Sequence, residues 1–216
     1  LKDAYDYLSQ LPLKDIKISY VRYLDEDEES KYALSEPQKR QYMEDMRYLA
    51  RECLDLIMKG IRPPYYNFEN RILQLWEHVK RSYFCPAGVT RFGISPSGDI
   101  YPCGPSADLG EWKLGTLAEG LDKNLVDRWI GHASFMNKDS CKGCWARYLC
   151  AGGCPLQLVR SFDEKQCDLS RYATRLAIAI YAAVKEKNEM PLVSLVDQEF
   201  LSYIEGIIQE GKSYSG

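Results

Sequence analysis

An α+β fold is what this sequence predicts, and three observations carry the prediction. Apolar residues recur at helical spacing before Cys85 and after Cys167, a central stretch carries a β-hairpin pattern, and between Cys85 and Cys167 the texture shifts to Gly, Pro and Cys. Hydrophobic residues make up 45% of the 216 residues, enough for a packed core. The net charge of -3 argues against a general nucleic-acid binder, which needs a basic surface to neutralise phosphates. The apolar run 176–184 is too short to span a bilayer.

Residues 1–10 read as the end of a helix. Residues 16–21 alternate apolar and polar and are β-branched, a strand pattern. The acidic run 25–29 reads as a solvated loop. A long helix follows, with Ser35 as N-cap, Gln38 three residues on and Pro37 in its first turn. Tyr42, Met46, Leu49, Cys53 and Leu56 form its apolar face, and Gly60 closes it. Pro63 and Pro64 mark a turn. The spacing predicts another helix over 67–82, with Ile72, Leu75, Trp76 and Val79 inward. Residues 91–95 and 99–101 flank Pro96-Ser97-Gly98 as a hairpin. Helices are expected over 124–131, over 169–187 with Leu169, Tyr172, Leu176 and Ile180 on one face, and over 194–210 between Ser194 and Gly211.

Eight cysteines are present, and four fall between Cys141 and Cys154, too close for unstrained disulfides and at ligand-like spacings. That usage fits a reducing cytoplasm. The series is Cys85, then Gly98-x4-Cys103, then Cys141-x2-Cys144-x5-Cys150-x3-Cys154, then Cys167. Cys-x2-Cys lets two thiolates converge within one turn, and Gly152-Gly153 lets backbone approach a bulky inorganic core. Pro86, Pro102 and Pro155 adjoin Cys85, Cys103 and Cys154 and restrict the backbone there. Zinc is the alternative occupant. It wants four tetrahedral ligands, whereas only one Cys-x2-Cys is present and His78 and His132 stand at no ligand spacing.

The complete series resembles the SPASM domain, the C-terminal part of many radical S-adenosylmethionine enzymes that mature ribosomally made peptides. The stretch from Cys144 to Cys154 is most similar to the thioether-forming ranthipeptide-type maturases. The resemblance implies two auxiliary 4Fe–4S clusters. Cys85, Cys103 and Cys154 would hold the first, with one iron open to a substrate thiolate, and Cys141, Cys144, Cys150 and Cys167 would hold the second. It also implies the domain plan: residues 1–84 as the end of a radical-SAM partial β/α barrel, 85–190 as the SPASM domain and 191–216 as a C-terminal helix.

The implied partners are a precursor peptide, an N-terminal radical-SAM half and a reductant such as ferredoxin or flavodoxin. S-adenosylmethionine and a further 4Fe–4S cluster belong to the intact enzyme. The family's Cys-x3-Cys-x2-Cys motif is not completed here, because Gln157 stands where its third cysteine would follow Cys150 and Cys154. The sequence is therefore expected to be a C-terminal portion that does not itself cleave S-adenosylmethionine. The alternative class is a non-enzymatic scaffold or electron carrier that binds iron–sulfur or zinc.

Other candidates read as structural. Cys53 lies on an apolar helical stripe and is expected in the core. His78 reads as a helix-surface residue, and His132 as a partner of a helix C-terminus. Arg22 and Tyr23 end the expected strand, where a barrel would turn them toward its active site or the surface. Trp145 and Tyr148 are expected to shield a cluster from water.

Overall fold

Among the described residues, helices carry most of the structure, and the β component is one antiparallel sheet of four short strands. The computed structural model describes residues 1–21, 27, 31–65, 67–160 and 167–187. Arg22, Tyr23, most of the acidic run and the helix expected over 194–210 lie outside the described residues. The chain divides into two compact units. The first comprises 1–19, 37–79 and 172–187; the second is built chiefly from 80–160 and 167–171. No described helix is long and apolar enough to cross a membrane.

The first unit contains α1 (Lys2–Leu8), α2 (Glu36–Met58) and α3 (Glu69–Trp76). Helix α2 starts directly after Ser35, where Pro37 loses nothing because first-turn N–H groups have no helical partner. Its buried stripe is Met46, Leu49, Ala50, Cys53 and Ile57; Tyr42 and Leu56 flank that stripe half-buried. Gly60, at φ +73, closes the helix: its N–H donates to Ile57 O (2.9 Å), and Ile61 N–H donates to Leu56 O (2.9 Å). Burial of this stripe with Tyr5, Ile16, Tyr65, Phe68 and Ile72 forms the core of the unit. Tyr65 sits between Tyr5 and Phe68 with edge-on ring contacts at 5.9 and 5.6 Å.

Two expectations here are corrected. Residues 16–21 do not form a strand. A single parallel bridge joins Ile16 to Tyr65, with Ile16 N–H donating to Pro64 O at 2.7 Å. The opposing segment begins Pro63-Pro64, which has no N–H to donate, so a ladder has nothing to extend on. The helix expected over 67–82 stops at Trp76. His78 adopts φ 56, and Val79 N–H reaches back to Gln74 O at 3.0 Å, a left-handed cap that leaves Val79 48% exposed.

In the second unit β1 (Gly93–Ile94) and β2 (Asp99–Tyr101) form the expected hairpin. Gly98 holds φ +84 in the turn, its N–H on Ser95 O at 2.9 Å. Strands β3 (Gly115–Thr116) and β4 (Gly120–Leu121) extend the sheet in sequence order. Short helix α4 (Gly104–Asp108) follows β2. Helix α5 (Lys123–Ala133) is capped by Asp122, which accepts from Asn124 N–H (2.8 Å) and Leu125 N–H (3.3 Å). After it come α6 (Asp139–Lys142), α7 (Arg147–Cys150) and α8 (Pro155–Arg160); the long α9 (Cys167–Lys187) starts in this unit and from Tyr172 on belongs to the first. The α9 stripe is Leu169, Ala173, Ala177, Ile180 and Val184, with Tyr172 and Leu176 half-buried beside it.

Cys53 takes the core place expected of it. It is 2% exposed, and its thiol donates to Tyr65 O at 3.6 Å. Burial, then the charges of Glu52 and Glu69, push that thiol from 9.0 up to about 12. The folded chain therefore keeps a proton that the unfolded chain releases above pH 9. This stabilisation is complete below pH 9 and is lost as pH rises toward 12. Denaturant midpoints measured across that window should fall with rising pH. Cys53→Ala should flatten the slope while costing about 1 kcal/mol at neutral pH.

Candidate metal centre

The seven motif cysteines fall into two neighbourhoods of the second unit. All eight thiols of the chain are unbridged. The first neighbourhood is the Trp129 core. Cys85, Cys103 and Cys154 each pack against a cluster of Ala87, Leu114, Trp129, Ala133 and Leu156. Trp129 anchors it: the ring is 1% exposed and its indole N–H donates to Ala87 O at 2.8 Å. Gly88 lies under that ring, at φ +74, and a Cβ there would stand 2.4 Å from it, so only glycine fits. Gly88 N–H donates to Pro102 O at 3.1 Å, which ties the segment after Cys85 to the one before Cys103. Cys103 is the N-cap of α4, where the fully buried Ser106 hydroxyl accepts from Cys103 N–H (3.1 Å) and donates to Cys103 O (2.7 Å). Cys154 precedes α8, and its carbonyl accepts from Leu158 N–H at 3.0 Å.

The second neighbourhood gathers Cys141, Cys144, Cys150 and Cys167. Cys141 sits in α6, and Cys144 N–H donates to Cys141 O at 3.1 Å, the single turn expected of Cys-x2-Cys. Cys150 ends α7 and Cys167 opens α9. Burial raises the Cys141 thiol above its usual range, and the neighbouring Cys150 and Cys144 raise it further. Burial likewise lifts Cys167 to about 11, opposed by Arg171 and reinforced by Cys150, Cys141 and Cys144. Cys167 therefore feels the other three members of the set, and Cys141 feels Cys150 and Cys144. Arg171, one helical turn beyond Cys167, lies beside the Cys144 side chain, which raises its pKa, and pairs with Asp168 at 3.4 Å. Among the described residues, no three His, Cys, Asp or Glu side chains close around a point that would hold a single metal ion.

The backbone between Cys150 and Cys154 separates the two neighbourhoods. Ala151, Gly152 and Gly153 all lie in the left-handed region, at φ 49, 78 and 84. A continuous helix would put residues four apart on one face; this run instead turns Cys154 away from Cys150. Gly152 carries a second constraint. A Cβ on it would meet Phe135 Cβ and a Leu158 methyl at 2.9 Å each. Protein packing therefore requires a glycine there.

Among the remaining candidates, Tyr148 packs against the small core of Phe135, Cys141 and Ala151. His132, in the last turn of α5, meets the Trp112 ring at a tilt with centroids 5.1 Å apart, and His78 is exposed. Tyr148 packs edge-on against Phe135 at 6.1 Å, with Lys80 and Arg147 over its ring. Trp145 is 49% exposed. Sequence reading missed Ser106, Trp129 and Arg171. Ser106 was visible as the N3 residue after Cys103, and Arg171 as Cys167 plus four on a helix; nothing in the sequence marks Trp129. Against known proteins, no family model matches the chain and no curated protein matches it.

Iron–sulfur clusters are held by thiolates, and half-buried thiols sharing one electrostatic neighbourhood beside a guanidinium fit that donor set. Gly152→Ala tests the backbone device without any metal. It should destabilise the apo chain by roughly 2 kcal/mol, from the left-handed penalty plus the clash. A thermal midpoint equal to that of the native chain would show that the Phe135 contact relaxes freely.

Proposed function

We propose that this chain is the SPASM portion of a radical S-adenosylmethionine enzyme that modifies a ribosomally made peptide. The observation that supports it most is the partition of the cysteines. Cys154 follows Cys150 by only four positions, yet packs with the Trp129 core while Cys150 joins Cys141, Cys144 and Cys167. One array of a single metal type has no need for that division; two clusters do.

In this reading Cys141, Cys144, Cys150 and Cys167 hold one 4Fe–4S cluster as a full set of four. Cys85, Cys103 and Cys154 hold the other and leave one iron without a thiolate from the chain. When bound, the clusters supply one-electron chemistry and, at the open iron, a place for a substrate thiolate. The protein's own residues do the positioning. Ser106 fixes the backbone at Cys103, Trp129 excludes water from the three-cysteine side, and Arg171 sets its positive charge beside the Cys144 side chain. Residues 85–190 are assigned to this domain, 1–84 to the end of the radical-SAM barrel and 191–216 to a terminal helix. The precursor peptide, the radical-SAM half and a small reductant are the proposed partners.

Anaerobic reconstitution tests the reading. The chain should take up about eight irons and eight sulfides. Cys144→Ala and Cys154→Ala should each lose about four, and the double variant should lose nearly all. Stoichiometric zinc in the anaerobically purified chain, or iron unchanged by either substitution, would overturn it. The reconstituted chain given dithionite and S-adenosylmethionine should release no catalytic 5′-deoxyadenosine.

A further inference from the structure

A cavity of about 310 Å³ opens beside Trp112, lined by Glu111, Trp112, Lys113, Leu114, Leu125 and Arg128. None of the motif cysteines lines it. Its floor is apolar: Leu114 is 1% exposed, with Leu125 and Trp112 half-buried beside it. Its rim carries three charges, and two are matched. Lys113 pairs with Asp99 at 2.6 Å, and Glu111 with Arg160 at 3.6 Å. Arg128 has no acidic partner among the described residues; its guanidinium lies over the Trp112 ring, 5.5 Å from the centroid. Contact with a ring face engages the plane of a guanidinium and leaves the N–H fork at its edge for a carboxylate.

The wall is set before any occupant arrives. Trp112 holds φ 63, a left-handed conformation that costs a non-glycine residue about 1–2 kcal/mol. It is kept there by ring contacts, edge-on to Trp129 at 5.3 Å and tilted on His132 at 5.1 Å. Trp129 is also the ring at the centre of the core on which Cys85, Cys103 and Cys154 pack. An occupant of the cavity is therefore one aromatic layer from the three-cysteine group.

The geometry points to a pocket for a peptide segment in which a carboxylate side chain neighbours a bulky apolar one. The apolar group fills the floor of Leu114, Leu125 and Trp112, and the carboxylate takes the fork of Arg128. That the occupant is a peptide rests on the maturation reading above; the acidic–apolar pairing rests on the cavity alone. A nucleic acid is disfavoured by the net charge of -3.

The reconstituted full chain is titrated against a fluorescein-labelled hexapeptide with an Asp between two Leu residues, and against its Asn isostere, with anisotropy as the readout. The Asp peptide should bind about tenfold more tightly than the Asn peptide, the worth of a charge-assisted hydrogen bond. Arg128→Gln, on an exposed side chain, should erase that preference without moving the thermal midpoint. Leu125→Asn should weaken both peptides alike, and Lys123→Gln, at an exposed position outside the cavity lining, should change neither. Equal affinity of the native chain for the two peptides, a preference that survives Arg128→Gln, or no binding up to about 5 mM would each overturn the assignment. Iron counted in the same samples separates the two ideas: clusters without a peptide preference sink only the pocket, and a preference without clusters sinks only the cluster reading.

Discussion

Three consecutive left-handed residues, Ala151, Gly152 and Gly153, decide which thiol faces which neighbour. Without that reversal, α7 would run on toward α8, and Cys150 and Cys154 would share a helical face. With it, the chain leaves Cys150 among Cys141, Cys144 and Cys167 and carries Cys154 to the Trp129 core. The reversal is locked from both sides: Phe135 and Leu158 close on Gly152 so tightly that no side chain fits. Ala151, which lacks glycine's freedom, takes the first left-handed place and keeps its N–H on Arg147 O at 2.7 Å. Two glycines and one strained alanine thus do locally what a longer connecting loop would otherwise have to do.

The Trp129 ring plays the corresponding part for the other group. Cys85, Cys103 and Cys154 come from three separate segments, and no local turn holds them together. They share a neighbourhood because each packs against the same small core, centred on an indole that donates to Ala87 O and covers Gly88. Burial of a ring this size contributes several kcal/mol of apolar transfer free energy, more than any one hydrogen bond near the cysteines. The four-thiol group is organised differently. Burial and the neighbouring thiols oppose ionisation of Cys141 and Cys167, and Arg171 is the cation that favours it.

Much of the secondary structure was legible because it follows from local rules. Helix α2 appears where Ser35, Pro37 and the apolar stripe place it, and the hairpin turns at Gly98 because the turn needs positive φ there. The misreadings have one cause. The strand expected over 16–21 and the helix expected over 67–82 each had a suitable pattern, but both depended on a neighbour. Pro63-Pro64 denies the strand its ladder, and the cap at His78 ends α3 before Val79 can turn inward.

By itself the sequence determined the list of metal-ligand candidates, because thiol chemistry and the Cys-x2-Cys spacing are local properties, and it determined that Cys53 belongs to a core, because its helical stripe says so. Only the tertiary structure decided that Gly152 answers to Phe135 and Leu158, and that Arg171 lies beside Cys144. It alone decided that Trp112, Leu125 and Arg128 line one cavity. The physical reason is range. Spacing along a chain specifies contacts within a turn or two, whereas convergence of distant segments is set by which apolar surfaces are buried together, and many pairings of such surfaces are compatible with one pattern of residues.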